Sequence, residues 1–198
     1  KPLAFKLVLA FSGAFLLGIT IFHLLPEVFA DPNFHAGPWI ITGLLLQILL
    51  EYLSQGAEHG HAHIKENKGL PWLLLLSLGV QAFIEGLPLS NQNELLWGIF
   101  IHKIPIGMVV FFLVWETRVS SITKVSTLVL FAIMSPLGNL INDTIPALQV
   151  WQLQITSVVI GMLLHIATTI LFESNQGHAF NLRKLLTILL AFGLSFAL

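Results

Sequence analysis

Polar punctuation cuts the chain into seven apolar runs, at about 5–29, 38–57, 70–90, 94–115, 124–143, 147–172 and 184–198. The separators DPNFHAGP, EHGHAHIKENKG, SNQN, ETRVSSITK, NDTIP and ESNQGHAFNLRK all contain Gly, Pro, Asn or Ser, as loops do. An α-helix needs about 20 apolar residues to cross a bilayer, and most of these runs supply that length. The pattern predicts an all-α polytopic membrane helix bundle, with 1–198 a single transmembrane domain of seven spans. The last run is short for a span and ends with the chain.

Within the runs, polar residues recur at helical spacing. Thr20, His23 and Glu27 form one stripe, with Pro26 at its exit; Gln47, Glu51, Ser54 and Glu58 form a second. Ser135, Asn139 and Asn142 make another, as do Gly161, His165 and Thr169. Any single Ser, Thr or Asn among these reads most simply as an interhelical hydrogen bond, contributing around 0.6 kcal/mol. Together the stripes suggest a polar pathway. The third and fourth runs depart furthest from lipid-compatible sequence. LGVQAFIEGLPLS carries Gln81, Glu85 and Pro88, and GIFIHKIPIGMVV carries His102, Lys103 and Pro105. A charge at bilayer depth is unfavourable by roughly 2.5–3.5 kcal/mol and usually marks an ion or substrate path. Gln81 and Glu85 are four apart and share a helix face. A short loop joins the two runs, so an antiparallel hairpin with Glu85 and His102 at similar depth is expected. A carboxylate facing an imidazole suits a borderline cation such as Zn²⁺. The plainer alternative is a buried Glu85–Lys103 ion pair that only holds two helices together.

Composition removes the soluble alternatives. The chain is 56% hydrophobic and 10% charged, against about 25% charged for a soluble domain. Cysteine is absent, which excludes disulfides and thiolate metal sites. The net charge of −1 offers nucleic acid no basic surface. Lys1, Lys6, Lys65, Lys68, Arg118, Lys124, Arg183 and Lys184 all fall on one side of the expected topology, and positive-inside logic makes that side cytoplasmic. The visible N-terminus is then inside and the C-terminus outside. Lys103, the ninth basic residue, lies within a span. The EHGHAH loop puts His59, His61 and His63 at alternate positions on the cytoplasmic side. Such a tract favours weak metal binding, with an ordinary solvated loop as the alternative. The hydrolase and phosphate-loop signatures are absent, so an enzyme is not expected.

These motifs resemble, in order and over essentially the whole chain, the ZIP (Zrt/Irt-like) divalent-metal transporters. FSGAFLLGITIFHLLPE is similar to the family's second helix, and the run ending at Glu51 with its HGHAH loop to the third helix and His-rich loop. QAFIEG resembles the fourth-helix motif, HKIPIG the fifth and SPLGN the sixth. The resemblance implies an eight-helix fold whose first helix precedes Lys1. It also implies a metal site on the fourth and fifth helices. Gln81 and Ala82 stand where His and Asn are common, and Lys103 and Ile106 where carboxylates are common. Ser135 takes the place of an acid that some members carry.

The expectation is transport of a divalent cation into the cytoplasm by alternating access. Zinc is the preferred substrate, with Cd, Fe and Mn as others, and no resident cofactor is expected. Gln81, Glu85 and His102 are the expected ligands, and Lys103 balances Glu85 in place of a second metal. His23 and Glu27 line the outer entrance, Ser135 and Asn139 the pathway, and Glu51 with His59, His61 and His63 the inner exit. The expected setting is the plasma or inner membrane, with the bilayer and divalent cations as partners and a homodimer as an option. Two alternatives are a degenerate relative without transport (a sensor, scaffold or dimer partner) and an intramembrane zinc hydrolase. The hydrolase would need three strong ligands around one water.

Overall fold

The computed structural model describes residues 3–54, 69–173 and 182–198. Among these residues the ordered structure is entirely helical. α1 (Leu3–Ile19) passes through a π-helical turn, Thr20–Leu24, into α2 (Leu25–Phe29). α3 (Ala36–Ser54) and α4 (Trp72–Gly86) follow, and a 3₁₀ turn at Leu89–Asn91 leads to α5 (Asn93–Trp115). α6 (Ser121–Thr144), the short α7 (Pro146–Val150), α8 (Gln152–Glu173) and α9 (Leu182–Phe196) complete the chain.

Among the described residues, five helical stretches are long and apolar enough to cross a membrane: Ala4–Phe29, Ala36–Ser54, Asn93–Trp115, Ser121–Thr144 and Gln152–Phe172. α4 and α9 have 15 residues each. At 1.5 Å per residue that is about 22 Å, short of a hydrocarbon core about 30 Å thick. The third apolar run therefore ends as an α-helix earlier than its hydropathy suggests. Pro88, which has no N–H to donate, follows Gly86 by two residues, and Leu87 N–H already bonds Ile84 O in a tighter turn. Many large apolar side chains face outward, and several polar ones are enclosed within an otherwise apolar interior. Leu45, Leu76, Phe112 and Phe172 are exposed, whereas Ser12, Thr20, Gln47, Gln81, Glu85 and His102 are buried. This arrangement suits lipid as the surrounding solvent.

Two helix pairs cross with their backbones in contact. Where α3 meets α8, a Cβ on Gly43 would collide with the Val158 carbonyl and one on Gly161 with the Ile40 carbonyl. Where α4 meets α6, Gly86 lies against the Ser135 carbonyl and Gly138 against the Phe83 carbonyl. Small residues let helices in lipid gain van der Waals contact that larger side chains would prevent. Both pairs run parallel. Trp39 packs on Trp151 at one end of the first and Glu51 meets His165 at the other.

The expected α4–α5 hairpin is not a close-packed pair. α4 lies against α6 and α3, and α5 against α1; α4 and α5 meet through side chains. Consequently α5 is shared between two hydrophobic cores. Leu95 and Ile99, in its first half, belong to the core of α1, α8 and α9. Ile106, Val110, Leu113 and Val114, in its second half, join Leu78 of α4 and side chains of α6. The handover between the two cores falls at His102, Lys103 and Pro105.

Candidate functional site

At that handover the bundle buries its carboxylate. Glu85 is 0% exposed, His102 0% and Gln81 1%. The helical spacing that put Gln81 and Glu85 on one face brings them into contact: Gln81 Nε2 donates to Glu85 Oε1 at 2.9 Å. From α5, Lys103 Nζ donates to Glu85 Oε2 at 2.6 Å, an ion pair whose acid is fully enclosed. Both carboxylate oxygens therefore have a donor. The Gln81 carbonyl oxygen is buried without a hydrogen-bond partner. On the other side of α5, His102 Nδ1 lies 3.4 Å from Ser12 Oγ of α1. Ser12, buried within an apolar run, was not among the residues expected from sequence.

The depth of this cluster follows from the early end of α4. Glu85 is one residue from the end of α4, while Lys103 is ten residues into α5. At 1.5 Å per residue, α4 therefore stops about 15 Å below the start of α5. The remaining distance is covered by the 3₁₀ turn and extended chain. Because α4 ends one residue beyond Glu85, the negative end of its dipole lies at the cluster, a polarity suited to cations.

His23 and Glu27, expected at the outer entrance, do not reach this cluster in the contacts observed. His23 lies in the π-helical turn, and its Nε2–H donates to the Ser195 carbonyl of α9 at 2.7 Å. A carbonyl can only accept, so Nε2 carries the proton. π-turns of this kind occur frequently at functional sites, and this one precedes Pro26, whose ring cannot fit a regular turn. Glu27 is exposed and its Oε2 accepts from Gln92 Nε2 at 2.8 Å. Gln92 is buried in the α4–α5 connection. In the same connection Ser90 hydrogen-bonds Asn139 of α6. Two side chains of one short turn thus tie it to α2 and α6.

Ser135, Asn139 and Lys103 line a common cleft of 830 Å³ between α5 and α6. Ser135 Oγ also donates to the Ala82 carbonyl at 2.8 Å, across the glycine-lined α4–α6 crossing. At the other end of the bundle Glu51 pairs with His165 of α8. His165 stood in a polar stripe at the sequence level, but nothing in the spacing named its partner 114 residues away. The loop residues His59, His61 and His63 lie outside the described residues.

Much of the polar striping has a local explanation. Thr20, Ser54, Ser77 and Thr169 each donate to a carbonyl three or four residues back in the same helix, rather than to a neighbouring helix. Gly161 serves backbone packing. Among the described residues no three His, Asp or Glu side chains gather as a metal-binding group, so the three-ligand centre that a zinc hydrolase requires is not assembled there. No family model, curated protein or solved structure matches the chain.

Proposed function

We propose that the protein is a membrane transporter of divalent metal cations, with zinc as the preferred substrate, built on a ZIP-like helix bundle in which the shorter α4 and α9 join the five span-length helical stretches. The observation that carries this reading is a fully buried Glu85, with an equally buried His102 on α5 at the point where that helix passes from one hydrophobic core to the other. A carboxylate kept in the interior of an apolar bundle is unfavourable for stability, and such residues mark ion paths. The early end of α4 supports the same reading, because broken helices at mid-depth are a recurring construction of transporter sites. In this scheme Glu85 and His102 bind the ion and Gln81 contributes its carbonyl oxygen. His23 and Glu27 serve the outer side. Glu51, with His165 and the loop histidines, receives the ion on the cytoplasmic side. Rocking of the α4–α6 pair against the core of α1, α8 and α9 would alternate access.

Uptake of radiolabelled zinc by vesicles reconstituted with the protein tests the proposal. Glu85→Ala and His102→Ala are each expected to reduce uptake to background. Unchanged uptake in both variants would remove the site assignment.

One observation favours a second reading. The direct Glu85–Lys103 pair is what a degenerate relative would use to join two helices without transport. That scaffold or sensor reading predicts no zinc uptake by the wild-type chain and no anomalous zinc signal at Glu85 in crystals grown with the metal.

A further inference from the structure

Each oxygen of Glu85 already accepts from one donor, and the acid is fully enclosed, so a divalent cation must share the carboxylate with these donors or displace one of them. The two donors differ in what they can do next. Gln81 can turn its amide and present the carbonyl oxygen that is buried without a partner. Lys103 is a flexible four-carbon cation, and its side chain is 22% exposed although the acid it holds is sealed. The open side is the cleft between α5 and α6, which Lys103 lines together with Phe131. Its Nζ already lies 5.9 Å from the Phe131 ring centroid, within the range at which an aromatic face attracts an ammonium.

We propose that Lys103 is a tethered competitor for the cation site, determining its specificity. Its ammonium occupies Glu85 while the site is empty and moves into the α5–α6 cleft, over Phe131, when a divalent cation binds. The inference rests on the cation-transport reading and adds to it. A monovalent ion gains little by replacing an ammonium of equal charge, whereas a divalent ion gains one charge on the same carboxylate. The empty site is left as a neutral pair, so it can change its accessibility without an unpaired charge in a low-dielectric interior. The same pair that favours a purely structural role thus becomes the resting state of the binding cycle.

Competition from a tethered group lowers apparent affinity by the fraction of time the site is available. Zinc binding to the purified full-length chain, titrated by calorimetry and corrected with Glu85→Ala to subtract the loop histidines, tests this. Lys103→Met is expected to bind zinc about ten-fold more tightly, to become sensitive to Na⁺, and to transport zinc more slowly. Phe131→Leu leaves the ion pair in place and removes the ring over which the displaced ammonium sits, so its zinc affinity is expected to fall about two- to five-fold. Equal or weaker zinc binding in Lys103→Met overturns the proposal while leaving the transport reading intact. If that variant does not fold, unchanged affinity in Phe131→Leu overturns it. Absence of any Glu85-dependent zinc binding in the wild-type chain overturns both.

Discussion

The Glu85 carboxylate is held by one donor from its own helix and one from the next, and these differ in how visible they are in sequence. The i, i+4 spacing alone puts Gln81 on Glu85, because residues four apart stack on one helix face. The Lys103 contact follows from the polarity of two neighbouring runs. Ser12 beside His102 follows from neither. It sits among Gly and apolar residues, and only the packing of α1 on α5 gives it a neighbour. The same holds for Gln92, a loop residue by composition that is buried against Glu27. Removing a donor from an enclosed carboxylate leaves an acceptor unsatisfied. Gln81→Leu is therefore expected to lower stability by about 1–3 kcal/mol, measured as a fall in the thermal midpoint of the purified protein without metal.

At the scale of elements, hydropathy located the helices and misjudged one of them. Residues 70–90 read as a continuous apolar run, but α4 ends at Gly86. Pro88, two residues on, has no N–H to continue the helix. The glycines also divide by context in a way composition does not reveal. Gly161 has the Ile40 carbonyl where a Cβ would stand, whereas Gly193 has open space around it. Gly161→Ala is expected to force α3 and α8 apart and to destabilise the protein by about 1–3 kcal/mol, the usual range for overpacking. Gly193→Ala, in the interior of α9, is expected to be neutral or to stabilise by about 0.5–1 kcal/mol. Thermal unfolding of the two variants side by side checks the contrast; equal effects would contradict the backbone contact.

For the molecule as a whole, the arrangement of two cores joined by α5 sets where motion is cheapest. The connection between α4 and α5 carries hydrogen bonds outward to Glu27 of α2 and Asn139 of α6, so it is tied to a helix on each side. The chain contains no cysteine, which makes introduced thiols unambiguous. Glu27→Cys combined with Gln92→Cys, bridged by a short cleavable bifunctional thiol reagent, is expected to stop zinc uptake, and cleavage of the bridge to restore it. Comparing the bridged and cleaved forms of one variant separates immobilisation from loss of the Glu27 carboxylate. Full uptake in the bridged form would show that this end need not open.

The sequence by itself determined the all-helical class of the structure and which apolar runs carry its ionisable residues. The excess of apolar residues, their helix-length runs and the rarity of charge within them leave few alternatives to a helical bundle in lipid. A Glu, a His and a Lys at bilayer depth stand out because burying them is so unfavourable. Tertiary structure decided which helices touch, and hence what those residues do. Packing partners are set by where two backbones can approach, which depends on glycines lying opposite carbonyls, and no periodicity within one helix encodes the face of another. That is why Glu51 finds His165, His102 finds Ser12, and the neighbouring runs that hydropathy would fold into a hairpin meet through side chains, in the Glu85–Lys103 pair and the core around Leu78.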